Sequence, residues 1–389
     1  MNARVSRTLA GITVVLLAGG CQTVSNTYDR FFGRAPETRK PAELVAFKPL
    51  FNPRVLWQGS VGGAEKQAFF PAVDGATLYA AGASGQIAGF DTSSGKPVGR
   101  IDAGERLSGA VGAGEGLVLV GTPKGQVLAF ERDGKLRWKA QLTSEVLAPP
   151  KIEGATVVAR AGDGRIFGLD AASGKRRWLY QRTLPALSVR SHAGVVIYRG
   201  GVFAGFSGGR MVALSLANGN VGWEAIVAVP RGTTELERVA DITSLPVLDD
   251  RQACAVAFQG RVACFDARSG TSIWARDVSS IAGMSADAGN LYITDDQNAV
   301  VALDKASGAS LWKQDKLFGR GVTGPLALGR YVIVGDFEGY VHLLSREDGA
   351  FAARIATDGS AILVPPVALD MTSIVVQTRA GGVFAISTQ

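Results

Sequence analysis

All six tryptophans of this chain fall at one position of one recurring motif, and that periodicity restricts the fold more than any other feature. The motif runs Gly, an alternating apolar stretch, Leu or Phe, Asp, a short polar turn, Gly and, four residues on, Trp. It is clearest from Gly164 to Trp178, with Asp170 and Gly174 between them, and it recurs ending at Trp138, Trp223, Trp274 and Trp312. Two copies keep the glycine and carry Gly99 or Ala353 in place of the indole. A last copy, starting at Gly381, meets the C-terminus before its Trp, whereas Trp57 has no motif in front of it. Positions 57, 99, 138, 178, 223, 274, 312 and 353 thus mark eight units. A period of about 40 residues means propeller blades or stacked helical pairs.

The local pattern decides for strands. Leu117 to Val120, Thr156 to Arg160 and Tyr331 to Val334 are short β-branched runs bounded by Gly or Asp, and Gly125 to Phe130 alternates with the period of two that a strand face requires. Turns such as Ser173-Gly174 and Asn218-Gly219 follow, which is a hairpin signal. Four short strands per unit make one blade, so the expected fold is all-β, an eight-bladed β-propeller. The broken last copy predicts how the ring closes: residues 54 to 58 pair beside 382 to 387, as the outermost strand of the blade formed by residues 363 to 387. Closure of this kind hides edges that an open array leaves unpaired. The recurrent Trp is expected to pack against the neighbouring blade's turn, a structural role for a large rigid ring.

The N-terminus reads as a processing signal. Arg4 and Arg7 precede an apolar stretch from Leu9 to Ala18, too short for a permanent membrane span. Small residues then lead to Cys21. The order Leu17-Ala18-Gly19-Gly20-Cys21 resembles the lipobox of bacterial lipoproteins, in which the cysteine receives diacylglycerol and becomes the mature N-terminus, although Ala18 stands where Leu is usual. The expected organisation is a signal peptide over 1–20, a lipidated N-terminus and flexible tether over 21–46, and the propeller over 47–389. Gln22 after the cysteine favours the outer membrane, and several acyl chains suffice for stable anchoring.

Charge and motifs exclude several classes. The formal net charge of +7 drops to +5 once Arg4 and Arg7 leave with the signal, and the basic residues lie singly in turns, so no nucleic-acid partner is expected. Gly89 to Lys96 and Gly168 to Lys175 have five residues between Gly and Gly-Lys, where a phosphate loop needs four and then Ser or Thr. The glycines from Gly112 to Gly116 enter a strand rather than a helix. His192 and His342, the only histidines, have no metal-ligand spacing and are expected at the surface or half-buried. Asp249-Asp250 and Asp295-Asp296 fall at hairpin turns, where Asp satisfies local amides. Cys254 and Cys264 flank the turn at Gln259-Gly260. A disulfide and two small buried hydrophobes are both open, and a two-residue turn, which would oppose Cys254 to Phe265, favours the second. No metal or cofactor is expected.

Function should sit where the repeat stretches. The units from Trp178 to Trp223 and from Trp223 to Trp274 span 45 and 51 residues. Both excesses fall between an outer strand and the next blade's inner strand, which places loops 181–192 and 229–246 side by side on one face.

Two resemblances bear on these repeats. They are similar to those of pyrroloquinoline-quinone dehydrogenases, which implies quinoprotein-like blades and makes such a dehydrogenase the alternative function, beside another envelope propeller that binds peptidoglycan or another protein. That family commonly has a disulfide between adjacent cysteines, and here the two are ten apart. The two long loops, Leu184 to Ser191 and Gly232 to Asp241, resemble the signature loops of the BamB family, lipoprotein propellers of the β-barrel assembly machinery of Gram-negative outer membranes. That resemblance implies a non-enzymatic scaffold that helps insert β-barrel proteins. It implies partner contacts at Leu187, Ser188, Val189, Arg190 and Asp241, with Thr243 standing where the family has a second acid, and it names BamA, the barrel-forming subunit, as the partner. Unfolded barrel strands guided along blade edges are a further candidate partner. An alternative to contact is that Arg190 pairs with Asp241 inside the monomer.

Overall fold

The computed structural model describes residues 40–389. The expected signal peptide, Cys21 and the tether as far as residue 39 lie outside the described residues. Eight four-stranded antiparallel sheets follow one another, and seven are contiguous: blades one to seven cover 72–102, 109–141, 151–180, 196–226, 247–276, 283–314 and 326–356. The eighth joins 367–387 to the strand Val55–Ser60. That strand pairs antiparallel with Gly382–Ser387, Trp57 opposite Ala385 and Gln58 opposite Phe384, so the ring closes as the interrupted repeat requires.

Burial within a blade follows strand order. The second and third strands are flanked on both faces by other blades, and a strand such as Leu117–Gly121 is buried throughout. The fourth strand lies at the rim, and in Val221–Ile226 only Trp223 and Ala225 are covered. Each tryptophan lies over a small residue of its own blade: Trp178 opposes Gly168, where a Cβ would stand 2.1 Å from the indole, and Trp138 opposes Ala129. A β-bulge beside the Trp position recurs in every blade, as between Ala213 and Leu214, and tilts the ring toward the next blade. There its Nε1 donates to a turn carbonyl: Trp57 to Thr92, Trp138 to Ala171, Trp178 to Leu216, Trp223 to Ala267, Trp274 to Lys305 and Trp312 to Arg346, all at 2.8–3.0 Å. The ring covers the glycine of that turn, as Trp178 covers Gly219 at φ +73, where any side chain would collide with it.

The exceptions have a physical reason at one of the two places. Blade seven carries Ala353 at the Trp position, and the turn that its Trp would meet does not exist, because the chain ends of blade eight occupy that place. Gly99 in blade one faces a blade-two turn one residue shorter than its counterparts, since Gly134 N–H donates to Glu131 O, three residues back, where Gly174 N–H donates to Asp170 O, four back; nothing further in the structure explains its missing ring.

Two expectations need correction. Cys254 and Cys264 form a disulfide. The turn between their strands is longer than two residues: Ala257 N–H donates to Arg261 O at 3.0 Å, with Phe258, Gln259 and Gly260 at the tip, and this register sets Cys254 directly opposite Cys264. The bond is wholly buried between blades five and six among Val256, Val262 and Leu291. His342 is neither exposed nor half-buried but fully enclosed in blade seven, because Asp336 and Arg354 satisfy its two ring nitrogens there and Arg320 in turn holds Asp336. His192 is half-buried. Residues 41–46, assigned to the tether from sequence, include Ala42 and Val45, whose backbones are hydrogen-bonded to blade seven and the loop leading into it.

Candidate partner-binding site

Each blade is entered and left on the same face, because four antiparallel strands return the chain to the side from which it came. The long connections 181–195 and 227–246 therefore share a face with the shorter 142–150 and 277–282. The second long connection is shaped locally by Thr234-Glu235-Leu236-Glu237. The Glu237 carboxylate accepts the N–H groups of Thr233 and Thr234 at 2.8 and 3.0 Å, while the Thr234 hydroxyl accepts the Glu237 N–H at 3.2 Å, a reciprocal capping box around one turn. Its outward residue, Leu236, is exposed.

Asp241 ties the two long connections together. Its Oδ2 accepts the Val189 N–H at 2.6 Å and its Oδ1 accepts the Gly208 N–H at 3.0 Å, while its own carbonyl accepts the Phe258 N–H. Behind it Ile242 seats on Gly205, where a Cβ would come within 2.1 Å. Arg160 closes the space below: its Nη1 donates to Ala193 O and Gly205 O at 3.2 and 2.7 Å, and its guanidinium lies 4.7 Å over the Phe206 ring. Burial pushes Arg160 down to about 10, against the pull of the Asp241 charge, and it stays protonated.

The structure separates the residues singled out from sequence into two kinds. Leu187 is 44% exposed, Ser188 is exposed and Val189 half-buried, and the Arg190 side chain is 52% exposed. Asp241 is only 2% exposed. The expectation that Asp241 presents its carboxylate on the face is corrected: two backbone N–H groups draw it inward, and it orients the loop instead. Arg190 does not pair with Asp241. Its Nε and Nη2 donate to the two carboxylate oxygens of Glu145 at 2.9 and 2.8 Å, a bidentate fork that raises the guanidinium above its ordinary value. Thr243 is buried and its hydroxyl donates to Ile281 O at 3.1 Å, so no second acid of the face is missing there. Between the loops lies a cavity of about 280 Å³, walled by Glu145, Arg160, Leu184, Val189, Arg190 and Asp241.

The sequence matches the family model described as outer membrane protein assembly factor BamB over residues 83–314 and 299–389. The chain belongs to the BamB family. It is 44% identical to outer membrane protein assembly factor BamB of Nitrosomonas eutropha over 97% of this chain and 94% of that protein. It is 41% identical to that of Bordetella pertussis over 99% and 98%. The crystal structure of BamB from Moraxella catarrhalis superposes with a TM-score of 0.79 at 28% identity, covering 86% of this chain and 99% of that one. A quinohemoprotein alcohol dehydrogenase from Comamonas testosteroni superposes at 0.71 with 13% identity, over 87% and 76%, and this likeness concerns the blades alone.

Two residues of this candidate site were not found from sequence. Glu145 lies in a connection of ordinary length, so the repeat shows no stretch there. Arg160 did leave a signal: it is the one charged residue at a place near the end of the second strand that is held by Ala81, Gly121, Gly205, Val256, Thr294, Gly335 and Gln377 in the other blades.

Proposed function

We propose that this protein is a non-catalytic scaffold lipoprotein of the outer-membrane β-barrel assembly machinery, anchored through Cys21, facing the periplasm and binding the periplasmic part of a BamA-like subunit. The observation that carries the binding site is the Asp241 clamp on the Val189 amide, which holds a short segment so that Leu187 and Arg190 stand out together. An apolar anchor beside an oriented arginine makes a compact hot spot, and the surrounding charges set register and approach rate. Glu145 is a positioning residue here: it holds the guanidinium in one plane and lowers the entropy lost on contact.

The non-catalytic reading is supported by how the acidic residues are used. Asp249 Oδ1 accepts the amides of Arg251 and Gln252, and Asp295 Oδ1 those of Gln297 and Ala299, so these carboxylates serve hairpin turns. The disulfide is internal to one strand pair, not a bridge between adjacent cysteines over a ligand. Purified protein given pyrroloquinoline quinone, calcium and a panel of alcohols is expected to reduce no dye above background.

The deciding experiment is calorimetric titration of the purified periplasmic part of the BamA-like subunit with wild type, Leu187→Asp and Arg190→Ala. Binding by wild type and weakening in both folded variants is the expected result, and unchanged affinity in both overturns the contact. Cys21→Ser is expected to release the protein into the periplasm or stall its processing. An unmodified Cys21 in the mature wild type, seen by mass spectrometry, would refute the anchor.

A further inference from the structure

Residues 41–51 run along the rim of blade seven as an added edge element. Ala42 N–H donates to Phe318 O at 2.9 Å and Leu50 N–H to Ala352 O at 2.8 Å. Arg320 Nη1 donates to Ala42 O at 3.0 Å and Arg354 Nη1 to Val45 O at 3.1 Å. Phe47 stacks on Phe351 with centroids 5.3 Å apart, and the Arg354 guanidinium lies 5.0 Å from the Phe47 ring. Blade seven is one of the two blades whose rim lacks the tryptophan, and the segment covers that rim.

The two arginines that hold the segment are themselves held by one buried cluster. Arg320 Nε donates to Asp336 Oδ2 at 2.9 Å, and its Nη2 pairs with Glu338. His342 Nε2 lies 3.0 Å from Asp336 Oδ2, and Arg354 Nε donates to His342 Nδ1 at 3.1 Å. A guanidinium N–H can only donate, so Nδ1 carries the lone pair and the ring proton sits on Nε2, directed at Asp336. Only the neutral imidazole in this tautomer fits. A second ring proton would set two N–H groups head to head and add positive charge between Arg320 and Arg354. The other groups facing the ring are Tyr340 of its own strand and Phe351 of the outer strand.

We propose that residues 41–51 are a strap latched to blade seven through neutral His342, and that protonation of this histidine releases it. Burial pushes the ring below the ordinary histidine range, against the pull of Asp336, and the charges of Arg354 and Arg320 push the same way. The sign follows. Docking is fully favoured above the ordinary histidine value near 6.5, and it weakens as the pH falls below that value toward the depressed one. Burial raises Asp336, but the hydrogen bonds from His342, the Tyr340 N–H and Arg320, with the neighbouring positive charge, together outweigh it and leave the carboxyl low, so Asp336 adds its loss only in stronger acid. Release uncovers the rim strand Phe351–Ala356.

Hydrogen exchange on the full mature protein tests this, reading the amides of Ala42 and Leu50 at about pH 7.5 and about pH 5.5, corrected for intrinsic rates. Up to about tenfold faster corrected exchange is expected at the lower pH, while core amides such as Val118 keep their protection. Equal corrected exchange at both values overturns the proposal. His342→Gln can accept from Arg354 and donate to Asp336 without titrating, and it should keep the strap docked at both values; a wild-type pH response in that folded variant also overturns it. Should that variant fail to fold, Phe47→Ala, which leaves the buried cluster intact, is expected to speed exchange at both values and retain the pH response. Loss of that response without change at His342 counts against the latch. Nitrogen NMR that finds His342 doubly protonated while both strap amides stay protected would overturn it as well.

Discussion

The joints between blades and the loops around blades three to five answer different demands. Six of the eight joints use the same pair, an indole from one rim strand and a glycine turn from the next blade, with the same Nε1 to carbonyl bond. The connections on the face share no such rule. One carries an exposed leucine and arginine, one turns a carboxylate inward to hold the first, and a third supplies Glu145 to orient Arg190. Repetition builds the frame, and departure from it shapes the loops of the face. The glycine of a joint can be nothing else, because the ring fills its Cβ position at positive φ. The loop residues obey no such local limit.

That division can be broken by experiment. The largest effect is expected at a joint. Trp178→Ala leaves a void between Gly168 and Gly219 and should cost ~3–5 kcal/mol, seen as a lower urea midpoint, with partner affinity retained at low denaturant; a midpoint near wild type would mean that the joints do not carry the frame. Next come Leu187→Asp and Arg190→Ala. Each should lose ~2 kcal/mol or more of partner binding, over tenfold, with stability within ~0.5 kcal/mol of wild type. Unfolding at that level would move the loop into the frame. Thr243→Asp should destabilise by ~1–3 kcal/mol, because it replaces a satisfied buried hydroxyl with a carboxylate facing a carbonyl; tighter partner binding would show that the face accepts a second acid after all. Smallest is Glu145→Gln. An exposed ion pair gives ~0–1 kcal/mol of stability, so thermal melting should scarcely shift, yet the amide cannot form the fork and affinity should fall severalfold. Rising salt should weaken wild-type binding more than that of this variant, and equal salt slopes would remove Glu145 from the positioning role.

Much of the fold is legible in the sequence. Trp spacing established the blade count, and the orphan Trp57 established which strand closes the ring, because each blade repeats the same short-range pattern. The two cysteines show the limit. Their pairing depends on the number of residues at a hairpin tip, and one extra residue there changed which side chain faces Cys254. At the site, stretched spacing located both loops, and Leu187 and Arg190 proved exposed. Asp241 was located but given the wrong orientation, since sequence shows a carboxylate and not the two amides that wait for it.

The sequence by itself therefore determined the architecture of this protein: eight strand-built units, their order, the closing strand and the face where the repeat is interrupted. These follow from local rules of periodicity, turn chemistry and ring size that act within some forty residues. Only the tertiary structure decided which partner each polar side chain takes. Glu145 meets Arg190 across 45 residues, Val189 meets Asp241 across 52, and Arg354 meets Val45 across 309. Such pairs form because closing the ring brings distant loops together and because buried charges and amides must be satisfied by whatever neighbour closure supplies.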